Sequence, residues 1–181
     1  RKDVMNTFPS NLWNELDLLY NNWLTEKGLN YQTLAAKYNT GGVGKIVLSK
    51  TAKWTLLKFD IAEATLFEYD TVKTITVTRS TAYSWHIQIS IWDIPIEKGK
   101  PYTLSFKAKA SNACTIELND GTDKFFKQIY LTTAYKDFEF TMQNINSKLQ
   151  FAMGNLQGYQ IDIKDIELRE GEGANIVKKS V

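Results

Sequence analysis

From residue 45 to residue 168 the chain alternates apolar and polar residues with a period of two, in short runs separated by Gly, Asn, Asp or Pro. That period sends successive side chains to opposite sides of an extended backbone, so each run is a strand with one apolar face. The runs are 45–48, 54–59, 65–69, 72–78, 83–91, 102–110, 115–119, 125–131, 136–142, 149–153 and 159–168. So many short strands with turn residues between them predict an all-β sandwich or barrel.

Parity within the runs names the expected core. Ile75 and Val77, Phe138, Phe140 and Met142, Leu149, Phe151 and Met153, and Ile161 and Ile163 each keep to one side. Thr74, Thr76, Thr78, Glu139, Thr141, Gln150 and Asp162 fall on the opposite side and predict a polar face or groove. By the same counting Trp85 goes inward with Ile87 and Ile89, while His86 and Gln88 face outward. Cys114, in step with Ile116 and Leu118, reads as a buried thiol.

The N-terminal part follows another rhythm. Residues 1–10 are polar and read as a linker, and Leu12, Leu16, Leu19, Tyr20 and Trp23 recur at helical spacing between Ser10 and Gly28. Trp13 and Trp23 are expected to be packing residues. Residues 31–38 are a second helical candidate, ended by Asn39-Thr40-Gly41-Gly42, and residues 171–181 read as a tail or exit linker.

With 181 residues, 43% of them hydrophobic and 13% aromatic, the chain suits one packed domain over residues 11–170. A net charge of +2 without a long basic run excludes a nucleic-acid footprint. The single cysteine excludes an intramolecular disulfide and a cysteine-rich metal cluster. No apolar run approaches the roughly 20 residues of a membrane span, so no membrane insertion is expected. The first residue is Arg1, as expected of a piece of a larger multidomain chain or assembly.

Four ordered segments resemble a known family: Trp85-His86-Ile87-Gln88-Ile89; Glu97 through Ala110, with Gly99 and Pro101 in its turn; Leu149 through Gly154; and Ile161 through Leu168. Together they resemble the carbohydrate-binding modules of the family 4/9/16/22 type, galactose-binding-like β-jelly rolls attached to cellulases, xylanases and other polysaccharide-active proteins. Asn11-Leu12-Trp13 with Trp23 also looks like that family's first strand, which leaves residues 11–27 open between helix and strand. The resemblance implies a jelly-roll sandwich of two antiparallel sheets, no catalytic residue, an extracellular or virion-surface location, and a polysaccharide or surface glycan as partner. It implies no cofactor beyond a structural calcium, for which Asp165, Glu15 and Asp17 are the candidate ligands. Where the family has two adjacent acids, this chain has Ile163-Lys164-Asp165-Ile166, and an ammonium opposes a calcium shell built of hard oxygens.

Catalysis lacks material. His86 is the only histidine, no nucleophile elbow, P-loop or HExxH pattern occurs, and the acid pairs Glu117 with Asp120 and Asp137 with Glu139 read as strand acids. Sugar recognition instead needs flat rings to stack on pyranose faces and polar groups to bond hydroxyls. Gln88, His86, Lys107, Glu117 and Gln150 are the polar candidates, expected to line one concave sheet. Tyr83, Trp92, Tyr130 and Tyr135 are the stacking candidates, with Trp54 and Tyr69 as alternatives. The leading function is a non-catalytic glycan-binding module that targets an attached domain. The alternative is a structural or interaction module of a phage tail, fibre or capsid decoration, with the Leu12–Trp23 stretch mediating assembly.

Overall fold

The structure, a computed structural model, describes residues 10–27 and 45–172. The linker expected before residue 10, the second helical candidate and most of the C-terminal tail lie outside the described residues. The chain divides into a unit of residues 1–41 and a unit of residues 42–181. In the first, helix α1 spans Ser10–Glu26. It settles the choice between helix and strand for that stretch as helix. Trp23 is not a packing residue: it is exposed together with Leu16, Leu18, Leu19 and Tyr20. Three-residue spacing stacks the Tyr20 and Trp23 rings on the helix surface instead, 6.2 Å apart.

The second unit is a sandwich of two antiparallel sheets. Its strands are β1 (Ile46–Leu48), β2 (Thr55–Lys58), β3 (Glu63–Tyr69), β4 (Val72–Arg79), β5 (Ile87–Ile91), β6 (Pro101–Ala110), β7 (Cys114–Asn119), β8 (Phe126–Leu131), β9 (Lys136–Gln143), β10 (Leu149–Ala152) and β11 (Gln160–Glu170). The first sheet runs β3-β4-β11-β6-β9, with β1 also on β11, and the second runs β2-β5-β10-β7-β8. The apolar parities meet between them. Phe151 touches Trp54 at 5.6 Å and Phe106 at 5.1 Å, and Phe106 stacks on Phe138 at 5.1 Å. Ile75, Val77, Met142, Leu149, Met153, Ile161, Ile163 and Cys114 are buried as expected, and Phe138 and Phe140 pack against that core half-buried.

Two places break simple alternation. In β11 the pairing with β6 shifts register between Lys164 and Glu167, and Asp165 takes a left-handed φ of 56°. The bulge resets parity, so Ile161 and Ile163 before it and Ile166 and Leu168 after it all face inward. Asp165 is engaged there: Thr71 Oγ1 donates to its Oδ1 at 2.8 Å.

In β4, Lys73 shares the inward parity of Ile75 and Val77 and is only 1% exposed. Its Nζ lies 3.5 Å from Oε1 of Glu68, its Cα partner on β3. Glu68 also accepts the Trp54 backbone N–H at 3.1 Å and approaches Lys53 at 3.4 Å. Burial pushes the Glu68 pKa up, but the Trp54 hydrogen bond and the charges of Lys73 and Lys53 outweigh it and leave it below 4.5. A depressed carboxylate contributes stability above its unfolded pKa and loses it as pH falls through the folded value. Glu68→Gln is therefore expected to cost about 2 kcal/mol at neutral pH, because it strands a buried ammonium. Urea denaturation as a function of pH checks this: the gap between wild type and variant should close as pH drops below 4.5.

Candidate functional site

The outward face of the second sheet can be read directly from strand register. One row across it is Thr55, Ser90, Gln150, Asn119 and Phe126, and the next is Leu57, Gln88, Ala152, Glu117 and Gln128. Three of the five expected polar residues, Gln88, Glu117 and Gln150, thus share this face. Tyr130 continues it from β8, opposite Thr115. Trp92 follows Gln88 and Ser90 in parity, and the Lys148 ammonium lies 5.5 Å from its ring centre.

Lys107 is elsewhere. It sits on β6 in the first sheet, between Lys164 and Asp137, and its Nζ is 3.9 Å from the Asp137 carboxylate. Parity alone says which side of its own strand a residue faces; strand order decides the sheet. The same reason divides the expected polar face: Thr74, Thr76, Thr78, Glu139, Thr141 and Asp162 lie on first-sheet strands, apart from Gln150. Tyr135 also belongs there, its ring 4.1 Å from the Lys164 ammonium and 4.8 Å from that of Lys109. Burial, followed by Asp162 and Asp165, pushes the Tyr135 hydroxyl pKa up. Of the alternatives, Trp54 is a core residue, whereas Tyr69 is exposed on β3.

Trp85 is not a core residue. It is 48% exposed, because residues Ser84–His86 form a 3-10 turn before β5 begins, so two-residue counting does not extend back to it. Its ring lies 5.7 Å from Phe59 and 5.8 Å from Tyr83, making an exposed aromatic cluster at one end of the face. His86 is buried beneath: its Nδ1 is 2.9 Å from Thr81 Oγ1, and Trp85 meets its ring edge-on at 4.0 Å.

Two expected ligand contacts hold this turn in place. Gln88 Nε2 donates to the Trp85 carbonyl at 2.8 Å, and Ser84 Oγ donates to Glu117 Oε2 at 2.7 Å. Gly154 completes the fit by having no side chain. A Cβ there would stand 2.5 Å from the Tyr83 carbonyl oxygen and 2.7 Å from the Ile87 nitrogen, distances that no backbone relaxes cheaply. Its N–H donates to the Ser84 carbonyl at 2.6 Å.

The floor has a second property. Ser90 Oγ and Gln150 Oε1 are buried without a hydrogen-bond partner among the described residues. Ser90 and Gln150 are Cα partners across β5 and β10. A buried polar group left unpaired costs about 1–3 kcal/mol, which is unusual enough to require a reason. The face therefore combines a polar floor holding unpaired atoms with exposed rings at both ends: Phe59, Tyr83, Trp85 and Tyr130 at one, Trp92 and Phe126 at the other.

Sequence reasoning missed Trp85, Phe59, Phe126, Ser90 and Lys148. Parity offered two of them: Ser90, in step with Gln88, and Phe126, in step with Tyr130. The candidate calcium ligands belong to separate units, Asp165 to the second and Glu15 and Asp17 to the first, and the Asp17 side chain lies outside the described residues. Asp165 is in the β11 bulge, Glu15 is exposed on α1, and no group of three His, Cys, Asp or Glu side chains suited to a metal occurs among the described residues. The acids weighed for catalysis are engaged as well: Asp120 is fully buried in loop hydrogen bonds, and Asp137 faces Lys107.

Comparisons with known proteins bear on this face. A family model described as "Carbohydrate binding domain" matches residues 49–154. Among solved structures, the fold is similar to a CBM4 module, with a TM-score of 0.54, 23% identity, and coverage of 74% of this chain and 99% of that one. It is similar to the ligand-free CBM1 of BiXyn10A, with a TM-score of 0.59, 19% identity, and coverage of 71% and 98%. The second N-terminal cellulose-binding domain of Cellulomonas fimi β-1,4-glucanase C gives a TM-score of 0.52 at 16% identity, with coverage of 72% and 97%. At these identities the likeness is one of fold. A search of curated proteins finds no match.

Proposed function

Because the chain belongs to the carbohydrate-binding domain family, whose model spans residues 49–154, we propose that it is a non-catalytic module that binds a polysaccharide on the outward face of its second sheet. The observation that carries this reading is the row of exposed rings at both ends of a polar floor. Flat aromatic surfaces cover the apolar faces of sugar rings, while amides, hydroxyls and carboxylates bond their hydroxyl groups. A chain-like ligand lying along β5 meets Trp85 and Tyr83 at one end and Trp92 at the other. Turning the Gln150 amide outward brings its oxygen, and the Ser90 hydroxyl beneath, within reach of ligand hydroxyls.

Held on a larger chain outside the cell, such a module raises the local concentration of an attached domain at its polysaccharide. Gln88 and Glu117 act mainly by fixing the turn that presents Trp85.

Ser90→Ala separates this role from a structural one. It removes a buried, unpaired hydroxyl at almost constant volume, so the variant should gain about 1 kcal/mol of stability. Across a panel of soluble polysaccharides in affinity electrophoresis, wild type should be retarded by at least one, and Ser90→Ala should bind that one about fivefold more weakly. A module retarded by no polysaccharide contradicts the function; unchanged affinity in the variant removes Ser90 from the site.

A further inference from the structure

The segments 92–100 and 143–148 join the two sheets at one end, and with the β7–β8 loop at 120–125 they border an open cavity of about 640 Å³ that the sheet face does not use. That volume is within the range of small-molecule sites, roughly 300–1,000 Å³. Its apolar lining is Ile96 and the buried Ile145, and its polar lining is Asn144, Asn146 and Ser147. Two lysines, Lys98 and Lys124, complete the wall.

The loops are held in shape before any ligand arrives. Asp120, fully buried, accepts the Thr122 N–H at 2.9 Å, the Thr122 hydroxyl at 2.6 Å and the Asn146 N–H at 2.9 Å. Ile94 N–H donates to the Ser147 carbonyl at 3.0 Å, and Asn144 makes the turn with a left-handed φ of 54°.

The charges are unbalanced in a useful way. Neither Lys98 nor Lys124 makes a salt bridge among the described residues, whereas the neighbouring Glu97 is bound to Lys100 at 2.8 Å. Asp120 spends its carboxylate on the loops, and Asp93 and Asp123 are the other acids of these segments.

Apolar, amide and hydroxyl lining groups together with two ammonium groups that make no salt bridge among the described residues suit a sugar ring that brings its own carboxylate. We propose that this cavity is a second binding site, for a uronic acid residue of an acidic saccharide. Ile96 and Ile145 cover the ring's C–H face, and Lys98 and Lys124 bracket the carboxylate. It rests on the cavity alone and is separate from the sheet face.

The test is a 1H–15N titration of the whole chain with trigalacturonate, a neutral trisaccharide of the same length, and sodium acetate. Trigalacturonate should saturably shift Asn144, Asn146 and Ser147, more weakly as salt screens the ammonium groups, and the neutral sugar should not. Lys98→Gln and Lys124→Gln each alter one exposed side chain, so the fold should persist. Each should weaken trigalacturonate binding about three- to tenfold, the double variant more. Shifts absent, insensitive to both lysines, or reproduced by acetate at equal concentration would overturn the proposal. Binding on the sheet face reports separately, through Ser90 and Gln150.

Discussion

Trp85→Ala is expected to lower affinity for a polysaccharide ligand by about 30-fold or more, the largest binding effect of any single change on the face. The tryptophan is 48% exposed and leans on Phe59 and Tyr83, which hold its ring in one orientation. Covering the exposed half of a side chain of roughly 200 Å² removes about 100 Å² of apolar surface from water, near 2.5 kcal/mol at about 25 cal/mol per Å². Little ordering entropy opposes this, because Gln88 and Glu117 already pin the turn. Trp85→Phe should recover part of the loss, since a smaller ring keeps the stacking surface. Titration calorimetry with the best polysaccharide of the panel measures both variants; an alanine variant within threefold of wild type would remove Trp85 from the site.

Phe151→Ala is expected to be the most damaging change to stability, at about 3–5 kcal/mol. Phe151 is fully buried at the centre of the sandwich, with Trp54 tilted against it and Phe106 meeting it edge-on. Those rings belong to three different segments and cannot all collapse into the space left behind. The urea midpoint should fall with little change in slope, since the surface exposed on unfolding is nearly the same. A loss under 1.5 kcal/mol would mean that the core refills more freely than its interlocked rings allow.

Strand positions and core residues were legible because a two-residue period has one physical meaning when one side of a sheet is buried. Ile75, Val77, Phe151 and Ile161 all obey it. Counting failed where the backbone leaves the strand: at the 3-10 turn that releases Trp85 outward, and it gave no hint of the β11 bulge that lets Lys164-Asp165 stand between inward pairs. The Ile163-Lys164-Asp165-Ile166 sequence is thereby explained as bulge geometry.

Sheet membership was the larger gap. Gln88 and Lys107 have equal claims by parity, yet β5 lies in one sheet and β6 in the other, a fact set by long-range pairing and absent from any local pattern. Three of the five polar candidates and the rings Tyr83, Trp92 and Tyr130 did converge on one face. Ser90 was passed over because a serine in a strand carries no sign of whether its hydroxyl finds a partner.

The central claim, that the outward face of the second sheet binds polysaccharide, is tested most directly by chemical-shift mapping with a neutral oligosaccharide of the best-bound polysaccharide. Saturable shifts should cluster on Gln88, Ser90, Gln150 and the indole N–H groups of Trp85 and Trp92, leaving Thr74, Lys109 and Asp162 of the first sheet still. Shifts confined to those first-sheet residues, or a molecule that responds to no oligosaccharide, would contradict it.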